Sequence, residues 1–143
     1  MSKLSERIHE YMQELEYTQV KLAEITGITN TNISNFLLEY HTPSYKHFVQ
    51  LLYAFDCSAD YLLGLTEIHT EENLNEVPPF SIRLRFILKT YGVSQEKLKR
   101  ELPVSGSVLY KWTSGKSNPS TESLIRLAEY FGCSVDYLIG RIS

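Results

Sequence analysis

The hydrophobic residues of this chain recur three and four positions apart, in two stretches that resemble each other. Residues at that spacing share one face of a helix, and no segment shows the strict alternation of a half-buried strand. The apolar stripes of the first half are Leu4, Ile8, Tyr11, Met12 and Leu15, then Phe48, Leu51, Leu52 and Phe55. Those of the second half are Leu84, Ile87, Leu88 and Tyr91, then Leu124, Leu127, Ala128 and Phe131. The pattern predicts an all-α fold.

The two stretches are copies of one sequence pattern. Residues 6–64 align without a gap on residues 82–140, at an offset of 76, and are identical at 14 of 59 positions. The clearest block pairs residues 57–64, Cys-Ser-Ala-Asp-Tyr-Leu-Leu-Gly, with residues 133–140, Cys-Ser-Val-Asp-Tyr-Leu-Ile-Gly. Because self-similarity at a fixed offset is typical of a duplicated domain, we expect one domain at residues 1–66 and a second at residues 80–143.

Each copy also repeats the residues that start helices. Ser and Thr side chains accept a hydrogen bond from the free backbone N–H groups at a helix N-terminus. Such residues precede the predicted second, fourth and fifth helices at Thr18 and Ser94, Ser44 and Ser120, and Ser58 and Ser134. The third helices are predicted to begin near Thr29 and Ser105. We therefore predict five short helices in each copy.

Residues 67–79, between the copies, are predicted to form a short acidic linker. They include Glu67, Glu71, Glu72 and Glu76 and end in a Pro78-Pro79 pair that interrupts any helix. The charge also divides here. Residues 1–79 carry 4 Lys or Arg and 12 Asp or Glu, a net −8, whereas residues 80–143 carry 10 and 5, a net +5. A polyanionic partner is therefore attracted to the second half and repelled by the first.

Composition argues against several classes of protein. No apolar run approaches the roughly 18 residues of a membrane span, and the N-terminus lacks the apolar stretch of a secretory signal, so we expect a cytoplasmic protein. Cys57 and Cys133 have no Cys or His at ligand spacing and are expected to be small buried hydrophobes. The sequence predicts no metal, cofactor or small-molecule site. We expect no enzyme, because no nucleophile with a placed base and no glycine-rich phosphate loop occurs.

Four short motifs occur at family-specific positions. Ser/Thr-Gln-x-x-Leu opens each second helix at Thr18 and Ser94, and Trp112-x-x-Gly115-Lys116 closes the third helix of the second copy. Pro-Ser precedes each fourth helix, and Ser-x-Asp-Tyr-Leu-x-Gly ends each copy. Through these motifs both copies resemble the lambda-repressor-like (Cro/cI, Xre) helix-turn-helix family. The resemblance implies two tandem five-helix domains, double-stranded DNA as the partner, a homodimer, and a bacterial or phage source.

The resemblance also implies which residues contact DNA. In this family the third helix enters the major groove, and the start of the second helix contacts phosphates, where free N–H groups suit an anion. The implied phosphate contacts are Thr18, Gln19, Ser94, Gln95, Gly115 and Lys116. The implied base-facing positions are Thr29, Asn30, Thr31, Ser34 and Asn35 in the first copy, and Ser105, Gly106, Ser107, Tyr110 and Lys111 in the second.

Each copy departs from the family pattern in its own way. Where the family has a glycine and a cation after the third helix, the first copy has the apolar and anionic run Phe36-Leu37-Leu38-Glu39-Tyr40. Phe36 occupies the core-facing register, so Leu37, Leu38 and Tyr40 are predicted to form an exposed patch for dimerisation, with ordinary core packing as the alternative. The second copy has Pro103 in place of the turn glycine and Gly106 at the start of the third helix.

Two functions from different classes follow. The first is a sequence-specific transcriptional regulator, expected to be a repressor, that uses the third helix of one or both domains as a homodimer on palindromic DNA. The second is a protein-interaction adaptor of the antirepressor or antitoxin kind, in which the divergent first copy binds a protein. The charge division and the Phe36 to Tyr40 segment are the features that separate the two hypotheses.

Overall fold

The computed structural model of the chain describes residues 2–69 and 73–143, and within these residues it shows ten α-helices and no strand. The residues form two compact units that divide between Leu74 and Asn75. The helices of the first domain are α1 (Lys3–Glu14), α2 (Gln19–Thr26), α3 (Asn30–Leu37), α4 (Tyr45–Phe55) and α5 (Ala59–Leu62). Those of the second are α6 (Phe80–Tyr91), α7 (Gln95–Glu101), α8 (Gly106–Ser114), α9 (Thr121–Phe131) and α10 (Val135–Ile139). The predicted all-α tandem fold is confirmed.

The predicted helix starts are confirmed at every position. In each case the side-chain oxygen of the capping residue accepts a hydrogen bond from the backbone N–H three residues later, which stabilises the domain by about 1 kcal/mol per cap. The caps of α2 to α5 are Thr18, Thr29, Ser44 and Ser58, and those of α7 to α10 are Ser94, Ser105, Ser120 and Ser134. Local capping chemistry therefore sets where the second to fifth helices of each copy begin.

Each domain has its own apolar core, to which all five helices contribute. The inner faces of the first domain include the fully buried Ile8, Leu22, Ile33 and Phe48. The equivalent residues of the second domain are Leu84, Leu98, Leu109 and Leu124, again almost without exposure. In the second domain α8 packs on both α6 and α7, so the third helix is held by two neighbours.

The structure corrects four core predictions, the first of which is Leu4, because this residue is only half-buried. Leu15 and Tyr91 were expected on the inner stripe, but their exposed fractions are 39% and 42%. Both residues lie at the C-terminal end of the first helix of their domain, and the Tyr91 ring packs at the edge of the core, with its centre 5.3 Å from that of Phe131. Cys57 is buried as predicted, whereas Cys133 is only half-buried.

An arginine at the same position of each first helix, buried in the first domain and half-buried in the second, was not predicted. In the first domain, the Arg7 guanidinium donates to the carbonyl oxygens of Tyr61 and Thr66, the latter at 2.8 Å, and to the Glu67 carboxylate at 2.9 Å. In the second domain, Arg83 donates to the carbonyl oxygens of Tyr137 and Leu138. Because a helix leaves its last carbonyls without partners, each arginine satisfies the end of the fifth helix of its domain.

The last glycine of each copy allows this packing. Gly140 has φ 85°, and a Cβ on it would stand 2.8 Å from Pro78 Cδ and 2.9 Å from Arg83 Cδ. Gly64 has φ 79°, and a Cβ there would collide with Lys3. A side chain is disfavoured at both positions by the left-handed backbone and by the nearby atoms. The final Gly of the repeated motif therefore marks the close approach of the chain to the first helix.

Candidate nucleic-acid interface

In the second domain, the start of α7 presents polar groups to solvent. Ser94 Oγ accepts a hydrogen bond from Lys97 N at 3.1 Å, which fixes the first turn. Ser94 and Gln95 are both exposed, and the Gln95 side chain bonds to none of the residues that the structure describes. Exposed hydrogen-bonding groups next to the free N–H groups of a helix N-terminus suit a phosphate oxygen.

The third helix of this domain, α8, has one buried and one exposed side. Leu109, Trp112 and Thr113 are buried against the domain. The exposed side carries the predicted base-facing residues Ser105, Gly106, Ser107, Tyr110 and Lys111. Tyr110 is 56% exposed, a large fraction for an aromatic side chain. The structure thus brings together on one surface the residues that the sequence singled out.

The segment after α8 brings a second cation to this surface. Gly115 ends the helix with φ 83°, and Ser117 N donates to the Lys111 carbonyl oxygen at 3.2 Å, which turns the chain back. Lys116 Nζ lies 5.2 Å from the centre of the Tyr110 ring, within the range of a cation–π contact. Within residues 2–69 and 73–143, neither Lys111 nor Lys116 has an acidic partner, so both charges are available to an external anion.

A third cation at this surface, Lys99 of α7, was not predicted. A Cβ placed on Gly106 would stand 3.3 Å from Lys99 Cδ and 3.7 Å from Lys99 Nζ. The ammonium group therefore lies at the N-terminal end of α8. The repeat contained the signal, since the equivalent positions of the first copy are Ala23 and Asn30, with the small and the large residue exchanged.

In the first domain the equivalent surface is partly closed. Asn30 and Thr31 at the start of α3 are exposed, as are the caps Thr18 and Thr29. The Ser34 hydroxyl, however, donates to Gln19 Oε1 at 2.7 Å, and Ser34, Asn35 and Gln19 are half-buried. Two predicted contact residues therefore bond to each other.

The end of α3 differs most from the equivalent part of the second domain. The prediction that Leu37 is exposed there was wrong. Leu37 is buried, 8% exposed, because Ile33, Phe36 and Leu37 follow the three-and-four spacing of one inner stripe. Leu38 and Tyr40 are 61% and 71% exposed, as predicted.

An anion lies between these two exposed apolar residues. Glu39 has φ 64°, and its carboxylate accepts a hydrogen bond from the Ser2 backbone N–H. This hydrogen bond lowers the pKa of Glu39 below its usual range. The second domain has Gly115 and Lys116 where the first has Glu39 and Tyr40. An approaching phosphate would therefore meet a carboxylate in the first domain and an ammonium group in the second.

Two further findings concern the rest of the described chain. No group of three or more His, Cys, Asp or Glu residues there is arranged to hold a metal ion. None of its helices combines the length and apolar character needed to cross a membrane.

The capped second helix, the short turn and the half-exposed third helix define each half of the chain as a helix-turn-helix domain. Comparison with known families agrees. Residues 5–68 match the family described as helix-turn-helix domain, and residues 84–138 match the family described as helix-turn-helix. Together the matches cover more than half of the chain, which belongs to the Xre-type helix-turn-helix family and carries two such domains in tandem.

Two curated proteins are similar in sequence to part of this chain. The chain is 37% identical over 65 residues to the HTH-type transcriptional regulator ImmR of Bacillus subtilis (strain 168), a match covering 46% of this chain and 51% of the relative. It is 33% identical over 60 residues to the HTH-type transcriptional activator BcrR of Enterococcus faecalis, covering 42% of this chain and 29% of the relative. The matches thus span about half of one relative and less than a third of the other. No solved structure matches the chain.

Proposed function

We propose that the chain is a sequence-specific DNA-binding transcriptional regulator whose second domain places α8 in the major groove. The observation that carries this proposal is the exposed side of α8, where Lys111 and Lys116 have no acidic partner among the described residues. They belong to the half of the chain with a net charge of +5. Phosphate contacts provide most of the affinity of such proteins, and base contacts from the third helix provide the sequence preference.

The residues of the second domain divide into two roles in this proposal. Ser94, Gln95 and Lys116 bind phosphates and fix the position of the domain on the duplex. Ser105, Ser107, Tyr110 and Lys111 face the base edges, where the Lys111 ammonium donates to guanine O6 or N7. Gly106 offers no side chain, so the readout by the first turn of α8 depends on the two serine hydroxyls.

The first domain serves assembly in this proposal. Leu38 and Tyr40 expose apolar surface where a DNA-binding domain of this family needs a phosphate contact, and Glu39 adds a negative charge. Association of two chains through this patch gives a homodimer that presents two second domains to a palindromic site. The predicted contact residues of the first domain then contribute less to DNA binding than the equivalent residues of the second domain. They are Thr18, Gln19, Thr29, Asn30, Thr31, Ser34 and Asn35.

The direction of regulation stays a prediction, with repression as the expected outcome. The two relatives are named a regulator and an activator. A reporter gene placed behind a selected binding site shows the direction directly, because expression falls with a repressor and rises with an activator.

The test of DNA binding uses Lys111→Ala and Lys116→Ala in the full chain. Fluorescence anisotropy with selected and random duplexes across a salt series gives the affinity and its salt dependence. We expect each variant to bind more weakly, and the salt slope to fall by about one for each lost phosphate contact. Unchanged salt slopes in both variants would remove α8 and the following turn from the interface.

Lys89→Ala is the matched control for this experiment. Lys89 is an exposed cation near the C-terminal end of α6, whereas the turn at Gly115 approaches Ser81 at the opposite end of that helix. Eight residues of helix separate Ser81 from Lys89 by about 12 Å. The control removes the same charge away from the proposed surface, so its salt slope should equal that of the unaltered chain.

The second candidate function is a protein-interaction adaptor, which is favoured by the Leu38, Glu39 and Tyr40 surface of the first domain. In that case the surface binds a different protein rather than a second copy. A chain that binds no duplex even at low salt, and that sediments as a monomer, would favour the adaptor over the regulator.

A further inference from the structure

The two copies exchange a small and a large residue at the contact between the second and third helices. In the first domain the second helix has Ala23, which is half-buried, and the third helix begins with Asn30. In the second domain the second helix has Lys99, and the third begins with Gly106. The Lys99 side chain lies directly against the space that a side chain at position 106 would take, with Cδ 3.3 Å and Nζ 3.7 Å from the Cβ position, so a Cβ there would require Lys99 to shift by a few tenths of an ångström.

This placement of Lys99 brings little stability to the folded domain. A cation near a helix N-terminus meets the positive end of the helix dipole, so α8 does not favour it. Among the described residues, its acidic partner is Glu96 at 3.2 Å, and the two side chains are 40% and 78% exposed. An exposed ion pair within one helix contributes little to the stability of the folded domain.

We propose that Lys99 contacts DNA at the N-terminal end of α8, and that Gly106 provides the space through which it reaches the duplex. The proposal rests on the proposed DNA-binding function. The ammonium group would donate to an acceptor oxygen or nitrogen of the duplex, in the place where the first domain has the Asn30 side chain. Glu96 competes with the duplex for this ammonium group.

The experiment compares Lys99→Ala with Lys97→Ala in the full chain, by fluorescence anisotropy on selected and random duplexes. Lys97 is an exposed cation of the same helix and pairs with Glu101 at 3.9 Å, so the two variants lose the same charge. We expect Lys99→Ala to weaken binding by about tenfold, the effect of one lost contact, and Lys97→Ala by less than about twofold.

The same measurement distinguishes the two acceptors on DNA. If Lys99 contacts a phosphate, its loss weakens selected and random duplexes alike and lowers the salt slope by about one. If it contacts a base edge, the loss is larger on the selected duplex. Either pattern supports the proposal.

Gly106→Ala tests the proposed space. The new methyl group would require Lys99 Cδ to shift by a few tenths of an ångström, so binding should weaken modestly when Lys99 is present and change little when Lys99 is already alanine. Alanine favours a helix more than glycine does, so this variant keeps its fold. Unfolding followed by fluorescence of Trp112, the one tryptophan of the chain, checks this.

Glu96→Gln should strengthen DNA binding, because it frees the Lys99 ammonium group and removes a negative charge.

The outcomes separate this proposal from the proposed function. If the unaltered chain binds no duplex at low salt, DNA binding itself is wrong, and the role of Lys99 with it. If the chain binds but Lys99→Ala loses no more affinity than Lys97→Ala, only the role of Lys99 is overturned. If Gly106→Ala weakens binding equally with and without Lys99, then Gly106 does not act by leaving space for that side chain.

Discussion

Three residues of the first domain adopt a left-handed backbone where the second domain has glycine. The pairs are Glu16 (φ 58°) and Gly92 (φ 65°), Glu39 (φ 64°) and Gly115 (φ 83°), and Asp56 (φ 52°) and Gly132 (φ 68°). All six positions follow the C-terminal end of a helix, where this conformation completes the helix cap. A side chain costs about 1–2 kcal/mol in this region, whereas glycine adopts it readily. The first domain is therefore strained at three helix ends where the second is not.

Replacing Glu16 with glycine should stabilise the first domain by about 1 kcal/mol, because it relieves this backbone strain. Glu16 is the better choice over Glu39, whose carboxylate bonds to Ser2. Thermal unfolding followed by circular dichroism measures the effect on the full chain, and Trp112 fluorescence reports the second domain alone.

Glu10→Gly is the control for the Glu16 prediction. Glu10 is exposed in the interior of α1, where glycine costs up to about 1 kcal/mol relative to a good helix former. The two substitutions should therefore have opposite signs. A first domain that melts no higher with Glu16→Gly would show that the left-handed position is not strained.

The burial of Leu37 shows where reasoning from single residues was too coarse. Phe36 was correctly predicted to face the core, and Leu37 was then expected to point outward. An inner helix face is about 100° wide or more, so it holds two neighbouring residues as well as the residue one turn earlier. Ile33, Phe36 and Leu37 form such a stripe. Leu38 and Tyr40, beyond the stripe, are exposed as expected.

At the scale of the helices, local chemistry was predictable and contacts between helices were not. A cap depends on residues a few positions apart, so Thr18 and Ser94 could be identified from the sequence. The Arg7 and Arg83 contacts join the first helix to the fifth, across more than 50 residues, and needed the fold. Their identity in both copies was nevertheless visible in the repeat. The Lys99 and Gly106 contact similarly became meaningful only when the structure placed α7 beside α8.

Placing the sequence from the end of the third helix of the second domain into the first domain should give the first domain a phosphate contact. The substitutions Leu38→Ser, Glu39→Gly and Tyr40→Lys give the first domain the last residue of α8 and the two residues that follow it. They remove the Glu39 carboxylate, relieve the backbone strain of its left-handed conformation and add a cation near the duplex. In a chain that also carries Lys111→Ala and Lys116→Ala, we expect DNA affinity to rise and the salt slope to increase by about one.

Leu38→Ser alone is the control for this transfer, since it changes the apolar surface without changing the charge. It should leave the salt slope as it was. If the triple substitution raises DNA affinity and the salt slope no more than the control does, a missing phosphate contact is not the reason why the first domain binds DNA weakly in the proposal.

Across the whole molecule, the charge division and the exposed apolar patch support the proposed division of tasks between the two domains. A net charge of −8 in residues 1–79 opposes a polyanion, and the +5 of residues 80–143 attracts one. Residues 67–79 were predicted to link the two domains. Glu67 and Asn75 pack on the first and second domain respectively, through Arg7 and Arg141, and Glu71 and Glu72 lie outside the described residues.

Assembly through the first domain predicts that Leu38→Glu combined with Tyr40→Glu yields monomers. Two added charges beside Glu39 would repel their counterparts across a two-fold interface, where the same surface meets itself. Leu37 is left unchanged, because a charge at this buried position would unfold the domain instead. Sedimentation velocity across a range of protein concentrations measures the outcome.

Val20→Glu is the matched control for assembly, because Val20 is 59% exposed on α2 and the second domain carries Glu96 at the same position. The control should sediment as the unaltered chain does. Monomers should also bind a palindromic duplex more weakly than dimers while keeping the affinity for a single half-site, since the contacts of α8 within one domain are untouched. An unaltered sedimentation profile in the double variant would exclude the patch as the assembly surface. Monomers that bind the palindrome as tightly as dimers would instead show that the second domain acts alone.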